Sequence, residues 1–222
     1  GTSQRTGSLP TLSGYKRTLL DKLLRRPGTP IYDWGYVTGT RRVVLDTYDG
    51  GFYGSNAFRE QHAKVFEGKL HKGETVYYEV VGFTDDGTPI MASCDNKKVG
   101  DKDFVKQYGK QTVFSYGCSP DGVDAPSEQM GVNCVPLLWS GFVPENDNPG
   151  EWVKGVAECY YDGADPIGKS HVREGVVCRI VNRPKFTAYK HKNFAFKVLE
   201  GIVKEVASAP DMEEAQEVTE AA

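Results

Sequence analysis

Three segments of the chain are dense in Val, Tyr, Phe, Ile and Cys, and they limit the fold more than any other feature. They span residues 75–83, 112–118 and 175–181, and β-branched and aromatic residues in such short runs predict buried β-strands. The intervening sequence lacks the regular alternation of strand and helix that builds parallel sheets. The pattern therefore predicts an α+β fold with a mostly antiparallel sheet.

Weaker patterns fill in the remaining elements. Partial alternation predicts a strand over 35–46, and a basic segment ended by Pro27-Gly28 predicts a short helix over 19–26. Capping residues and apolar spacing predict helices over 55–66 and 148–161. Residues 194–203 fit either a strand or a helix.

Composition excludes several classes of protein. The chain has 222 residues, of which 39% are hydrophobic and 11% aromatic, and this suffices for a real core. The longest uncharged stretch, residues 129–144, is too short and too polar to span a bilayer, and no basic-then-apolar leader indicates secretion. Five cysteines without a CxxC pair predict free thiols and no structural metal. We expect a cytoplasmic protein with no membrane partner.

Charge is unevenly distributed around a net value of −3. Residues 1–42 contain eight basic and two acidic residues, and residues 183–204 contain six basic and one acidic residue. These segments predict a phosphate-binding face, although solvated surface charge is the alternative for each of them taken alone. Residues 205–222 carry six acids and no base, which predicts a disordered tail.

Common catalytic signatures are missing from the sequence. It contains no GxGxxG, HExxH or GxSxG pattern, which lowers the expectation of a dinucleotide fold or a common hydrolase. Residues 163–170 match the P-loop pattern literally, but a β-rich segment follows where a helix should begin. Pro166 also removes a backbone amide from the loop. A surface loop is the better interpretation.

Charged residues within the apolar strands are the stronger candidates for a functional site. Glu79 and Glu174 lie in or next to strands whose burial makes an unsatisfied carboxylate costly. Lys190 and Lys192 are two residues apart and therefore project from one side of a strand. The alternatives are strand-end surface residues for the acids and a solvated edge strand for the lysines.

The order of these segments resembles the covalent nucleotidyltransferase superfamily, and more closely the phage-type ATP-dependent RNA ligases. Residues 78–82 resemble motif III, 113–118 motif IIIa, 174–177 motif IV and 190–192 motif V of those enzymes. The resemblance implies a nucleotidyltransferase (ATP-grasp-like) domain of antiparallel sheets with flanking helices over residues 1–204. It also implies an activity that joins RNA 5′-phosphate and 3′-hydroxyl ends through lysyl-AMP and RNA-adenylate intermediates, with ATP and Mg²⁺ or Mn²⁺ as cofactors.

The start of the chain resembles the end of motif I, which reads Lys-x-x-Gly in this family. If Gly1 is that glycine, the nucleophilic lysine lies three residues before it, and the chain is expected to be a fragment. Ser3 stands where the family has an Asn that contacts the nucleotide. Motif Ia best matches Arg41, with Arg42 as the alternate.

The resemblance implies a role for each matching residue. Glu174, Lys190 and Lys192 would be catalytic, and Glu174 would also hold a divalent cation. The nucleotide-binding residues would be Arg41, Glu79, Phe114, Tyr116 and Ser3. Two alternatives remain: a DNA ligase or capping guanylyltransferase relative, and a non-catalytic domain that binds RNA or a nucleotide.

Overall fold

A computed structural model of the chain describes residues 1–50, 55–90, 101–119, 130–145, 148–167, 172–181 and 187–199. The predicted tail over 205–222 lies outside these residues. Within them, strands and helices are mixed, and the predicted α+β class is confirmed.

Five strands form the main sheet, in the spatial order β2-β1-β3-β4-β5. The bounds of these strands are β1 Thr2–Lys16, β2 Thr29–Gly39, β3 Thr75–Gly82, β4 Gln111–Ser119 and β5 Asn133–Cys134. All neighbours are antiparallel except β4 and β5, which are parallel. A separate antiparallel hairpin consists of β6 Gly175–Ile180 and β7 Thr187–Lys192.

Five helices lie among the described residues. They are α1 Leu19–Leu23, α2 Ala57–Ala63, α3 Asp101–Tyr108, α4 Pro149–Tyr160 and α5 Phe194–Leu199. Asn148 caps α4 by accepting a hydrogen bond from the Glu151 amide over 3.2 Å, and the predicted second helix is thereby confirmed. The segment after residue 193 is helical as far as Leu199, where the sequence allowed a strand or a helix.

One strand prediction is wrong in its bounds. The strand expected over 35–46 begins at Thr29 and ends at Gly39. It ends there because the Thr40 hydroxyl accepts a hydrogen bond from the Val43 amide over 3.2 Å, while the Thr40 amide donates to the Val43 carbonyl over 2.8 Å. These bonds turn the chain back on itself.

The core lies between α2 and one face of β3 and β4. Val76, Tyr78 and Val80 alternate along β3 and are fully buried, and Phe66 packs on the Tyr78 ring at a centroid distance of 4.5 Å. Burial raises the pKa of Tyr78, and its hydroxyl lies 2.9 Å from that of Thr6 on β1. The opposite face of β3 carries Tyr77 and Glu79.

Two predictions from composition can be compared with the structure. Cys118, Cys134, Cys159 and Cys178 are free thiols, and Cys94 lies outside the described residues. None of the helices in the described part of the chain is long and apolar enough to cross a membrane.

Candidate functional site

Glu79 lies on the face of β3 that points away from the core. Strand side chains alternate between faces, and Val76, Tyr78 and Val80 occupy the core face. Tyr77 and Glu79 therefore share the other face. The sequence of β3 thus places a half-buried carboxylate on the sheet surface without interrupting the hydrophobic core.

The beginning of β1 packs directly on Glu79. Ser3 pairs with Glu79 in the sheet register, and its hydroxyl donates a hydrogen bond to Glu79 Oε2 over 3.1 Å. A Cβ atom on Gly1 would lie 2.6 Å from Glu79 Cγ and 2.7 Å from Glu79 Oε1. Gly1 therefore lies directly against the Glu79 side chain, and Gly1, Ser3 and Glu79 form one contiguous group.

The two aromatic candidates on β4 differ in accessibility. Phe114 pairs with Glu79, is 4% exposed, and packs edge-to-face on Tyr108 at a centroid distance of 5.4 Å. Tyr116 is the extra residue of a β-bulge opposite Tyr77, is half-buried, and its ring centroid lies 6.4 Å from that of Tyr77. Of the two rings, Tyr116 is the one that a bound base can reach.

Arg41 is exposed in the turn that follows β2. The register pairs Gly39 with Arg5, which is two residues along β1 from Ser3. Arg41 therefore lies near the end of the sheet that carries Ser3. Arg42 is exposed in the same turn, and the choice between the two arginines stays open.

Glu174, Lys190 and Lys192 are brought together at one end of the β6–β7 hairpin. Lys190 Nζ lies 2.5 Å and Lys192 Nζ 3.8 Å from the same oxygen, Glu174 Oε1. The Lys192 side chain is 13% exposed, whereas those of Lys190 and Glu174 are each 41% exposed. Two ammonium groups therefore converge on one carboxylate that solvent can reach.

A glycine and an asparagine hold this end of the hairpin in place. Gly175 has φ +148°, and a Cβ atom there would overlap the His191 carbonyl oxygen and lie 2.8 Å from Lys192 Cα. Asn193 is 1% exposed, and its backbone N–H donates to the Glu174 carbonyl over 2.8 Å. Its side-chain Nδ2 donates to the Tyr161 carbonyl over 3.1 Å. These contacts tie the lysine strand to Glu174 and to the end of α4.

One residue on the lysine face of the hairpin contacts the main sheet. Paired residues in an antiparallel register share a face. Val177 pairs with Lys190 and Arg179 with Ala188, which puts Arg179 on the same face as the two lysines. Arg179 Nη1 donates to the Tyr116 carbonyl over 3.0 Å. The hairpin is therefore joined to β4 through the face that carries Lys190 and Lys192.

The candidate residues thus form two groups. The sheet group consists of Gly1, Ser3, Glu79 and Tyr116, and the hairpin group consists of Glu174, Lys190 and Lys192. Sequence reasoning missed Arg179 and Asn193, which support the hairpin group. An Asn directly before an apolar helical segment is an N-cap signal that points to Asn193, but nothing local in the sequence marks Arg179.

A third residue that sequence reasoning missed is Arg59 on α2, which is 1% exposed. Its guanidinium donates from Nη2 to the Thr2 hydroxyl over 2.9 Å and from Nη1 to the Ser3 carbonyl over 3.1 Å. Gln4 Nε2 returns a bond to the Arg59 carbonyl over 2.8 Å. Arg59 therefore fixes the three residues of β1 that lie beside Glu79.

Glu174 is the candidate metal ligand of the two groups. Among the residues that the structure describes, no three His, Cys, Asp or Glu side chains are arranged to hold a metal ion together. Mg²⁺ in nucleotide enzymes is commonly held by one or two carboxylates together with substrate phosphates. Glu174 fits that weaker requirement because its carboxylate is partly exposed.

Comparisons with known proteins do not assign the chain to a family. No protein-family model, curated protein or solved structure matches it. A functional assignment must therefore rest on the arrangement of these side chains and on the order of the motifs along the chain.

Proposed function

We propose that the protein is an ATP-dependent RNA ligase of the covalent nucleotidyltransferase type. The observation that carries this proposal is the convergence of Lys190 and Lys192 on Glu174, on a hairpin face joined to β4 by Arg179. Two ammonium groups held beside a carboxylate suit a reaction in which negative charge builds on transferring phosphates.

The sheet group is suited to the nucleoside part of ATP. Glu79 is a hydrogen-bond acceptor of the kind that binds ribose hydroxyls, and Ser3 already donates to its Oε2 over 3.1 Å. The Tyr116 ring offers a face on which adenine stacks. Glu79 would orient the ribose, while Tyr116 would supply affinity that depends little on the identity of the base.

The first reaction step transfers AMP to a lysine that the resemblance puts three residues before Gly1. The lysine Nζ–phosphorus bond forms as the phosphorus–oxygen bond to pyrophosphate breaks, pyrophosphate leaves with the electron pair, and an amine proton passes to solvent. The attacking amine must be neutral, and nearby positive charge from Lys190 and Lys192 favours that state. The same two charges stabilise the transition state on the α-phosphate.

Glu174 is the residue that would hold a divalent cation, with ATP phosphates and water completing its coordination. A bound Mg²⁺ or Mn²⁺ would offset the charge of the phosphates. Glu174 also forms a 2.5 Å ion pair with Lys190. Its carboxylate would therefore position the Lys190 ammonium group when no metal ion is bound and the metal ion when one is present.

The later steps act on RNA. AMP passes from the lysine to the 5′-phosphate of an RNA end, which restores the free amine and forms a phosphoanhydride. The 3′-hydroxyl of the second end then attacks that 5′-phosphate, a phosphodiester forms, and AMP leaves. RNA is thus expected to bind with its 5′-phosphate close to Lys190 and Lys192.

Labelling with α-³²P-ATP tests the proposal. We expect a lysine codon three codons before Gly1 in the reading frame, and a covalent AMP adduct on the protein that includes it. Replacing that lysine with alanine should abolish the label, and the chain that begins at Gly1 should not be labelled. If the lysine-containing protein binds neither ATP nor GTP covalently in the presence of Mg²⁺ or Mn²⁺, the ligase proposal is wrong. A protein that is labelled by α-³²P-GTP but not by α-³²P-ATP would indicate a capping guanylyltransferase.

A further inference from the structure

A two-stranded arm extends from the main sheet beyond the reach of β3. β1 pairs with β3 only from Thr2 to Gly7, while its pairing with β2 continues to Lys16 and Thr29. Residues 9–36, which include α1 at the tip, are named the arm here. The large side chains of the arm are mostly exposed.

One face of the arm carries a row of aromatic rings. Tyr32, Trp34 and Tyr36 alternate along β2 and share a face, and Tyr15 joins them because it pairs with Pro30. These four rings are between 40% and 59% exposed. An exposed aromatic row is unusual for a protein surface and marks a binding surface.

Positive charge accompanies the rings. Lys72 Nζ lies 5.6 Å from the centroid of the Trp34 ring. The tip of the arm exposes five basic residues, Lys16, Arg17, Lys22, Arg25 and Arg26, whereas the acidic residues of the arm are Asp21 and Asp33. Asp21 is engaged in the N-cap of α1, where its carboxylate accepts hydrogen bonds from Thr18 over 2.9 Å and 2.7 Å.

The opposite face of the arm is largely polar, and two of its hydroxyl groups form hydrogen bonds within the arm. The Thr11 hydroxyl donates to the Asp33 carbonyl over 3.1 Å, and the Ser13 hydroxyl donates to the Ile31 carbonyl over 3.2 Å. Two large apolar side chains also lie there: Ile31, which is 42% exposed, and Leu9, which pairs with Gly35 and is half-buried. The two faces of the same strands therefore differ in chemistry, which allows matched variants.

We propose that the aromatic face and the basic tip of the arm bind single-stranded RNA, which would be the substrate of the proposed ligase. Bases stack on aromatic rings regardless of sequence, and Lys and Arg side chains contact the phosphates. Alternate side chains of a strand lie about 6.6 Å apart. This is close to twice the about 3.4 Å spacing of stacked bases, so one base fits between neighbouring rings. The proposal rests on the proposed function for the identity of the nucleic acid.

Fluorescence anisotropy with a fluorescein-labelled oligouridylate tests the arm. We expect Trp34→Ala and Tyr32→Ala each to weaken binding about 10-fold, because one stacked base is lost. Ile31→Ala on the polar face is the matched control and should bind like the parent. The double variant Arg25→Ala/Arg26→Ala should make the log-log salt slope shallower by about 1.4, since two phosphate contacts are removed.

The outcomes separate the arm from the ligase. Melting temperatures of all variants should match that of the parent. If an alanine variant loses stability, Trp34→Phe is measured in its place, and because this variant keeps a ring it should retain most of the affinity. Aromatic variants that bind the oligonucleotide as tightly as the parent overturn the proposal. So does preferential binding of duplex RNA or of anionic vesicles. If the aromatic variants lose RNA affinity while no AMP adduct forms, RNA binding by the arm is supported and the ligase proposal is wrong. If the adduct forms but the variants bind RNA like the parent, the ligase proposal is supported and the proposal for the arm is wrong.

Discussion

Arg179 Nη1 donates a hydrogen bond to the carbonyl oxygen of Tyr116 over 3.0 Å, and this bond joins the β6–β7 hairpin to the main sheet. Arg179 lies on the same hairpin face as Lys190 and Lys192. The expected position of the nucleotide, between the sheet group and the hairpin group, depends on this contact.

Removal of the Arg179 contact should weaken nucleotide binding more than folding. We expect Arg179→Ala to weaken ATP binding by about 10-fold, equivalent to one hydrogen bond from a charged donor. Arg179→Lys retains the charge but not the planar group and should give an intermediate value. Isothermal titration with ATP and Mg²⁺ measures the change. Equal affinities in all three proteins would show that the contact does not position the site.

The hairpin lysines should matter for chemistry and little for stability. Lys190 is 41% exposed, and exposed ion pairs contribute about 0–1 kcal/mol, so Lys190→Ala should change the free energy of unfolding by about 0.5 kcal/mol or less. If the proposed upstream lysine is encoded, adenylylation of the protein that includes it should be slower by about 10²-fold in Lys190→Ala. Lys154→Ala in α4 also breaks an exposed ion pair and is the control. Single-turnover labelling and thermal melts distinguish a catalytic lysine from a structural one.

Two glycines should respond to alanine with opposite signs. Gly175→Ala puts a Cβ against the His191 carbonyl at φ +148°, and we expect destabilisation by about 1–3 kcal/mol. Gly155 lies in α4, where an added Cβ would meet no atom within 4 Å outside the backbone of the helix itself, and Gly155→Ala should stabilise the protein by about 0.5–1 kcal/mol. Urea unfolding of both variants measures the difference. A neutral Gly175→Ala would mean that the hairpin end can relax.

Replacement of Arg59 should lower the free energy of unfolding more than replacement of an exposed charged residue. Arg59→Met removes a charged donor that bonds Thr2, Ser3 and Asn56 from a buried position, so it should destabilise the protein by about 3 kcal/mol. Lys64→Ala, in the exposed pair with Glu60 next to the same helix, should cost about 0.5 kcal/mol or less. If the two variants melt at the same temperature, Arg59 does not hold β1 against α2.

Acid should destabilise the protein partly through His62. Burial lowers the pKa of His62 below its usual value near 6.5, outweighing the opposite effect of its contact with Gln111 at 3.1 Å. The unfolded state therefore binds a proton first. The contribution of His62 to stability is complete above about pH 6.5 and declines as the pH falls from there through the folded pKa. Urea unfolding across this window should show a smaller decline for His62→Gln than for the parent.

The sequence by itself determined the strands that contain Glu79 and Phe114 and the strand that directly follows Glu174, because β-branched and aromatic residues in short runs have few other stable environments. It also determined that Lys190 and Lys192 share a side, since the side-chain period of a strand is two. Their convergence on Glu174 follows from the hairpin register, which only the structure gives.

Tertiary structure decided the rest. The strand β1 was not predicted, because its buried face, formed by Thr2, Gln4, Thr6 and Ser8, is polar, and alternation of apolar residues is the signal that sequence reasoning uses. Two of its residues are bonded from distant parts of the chain, because Arg59 donates to the Thr2 hydroxyl and the Tyr78 hydroxyl bonds that of Thr6. The bulge at Tyr116 and the bond from Arg179 were likewise invisible, because both depend on partners that are remote in sequence and near only after folding.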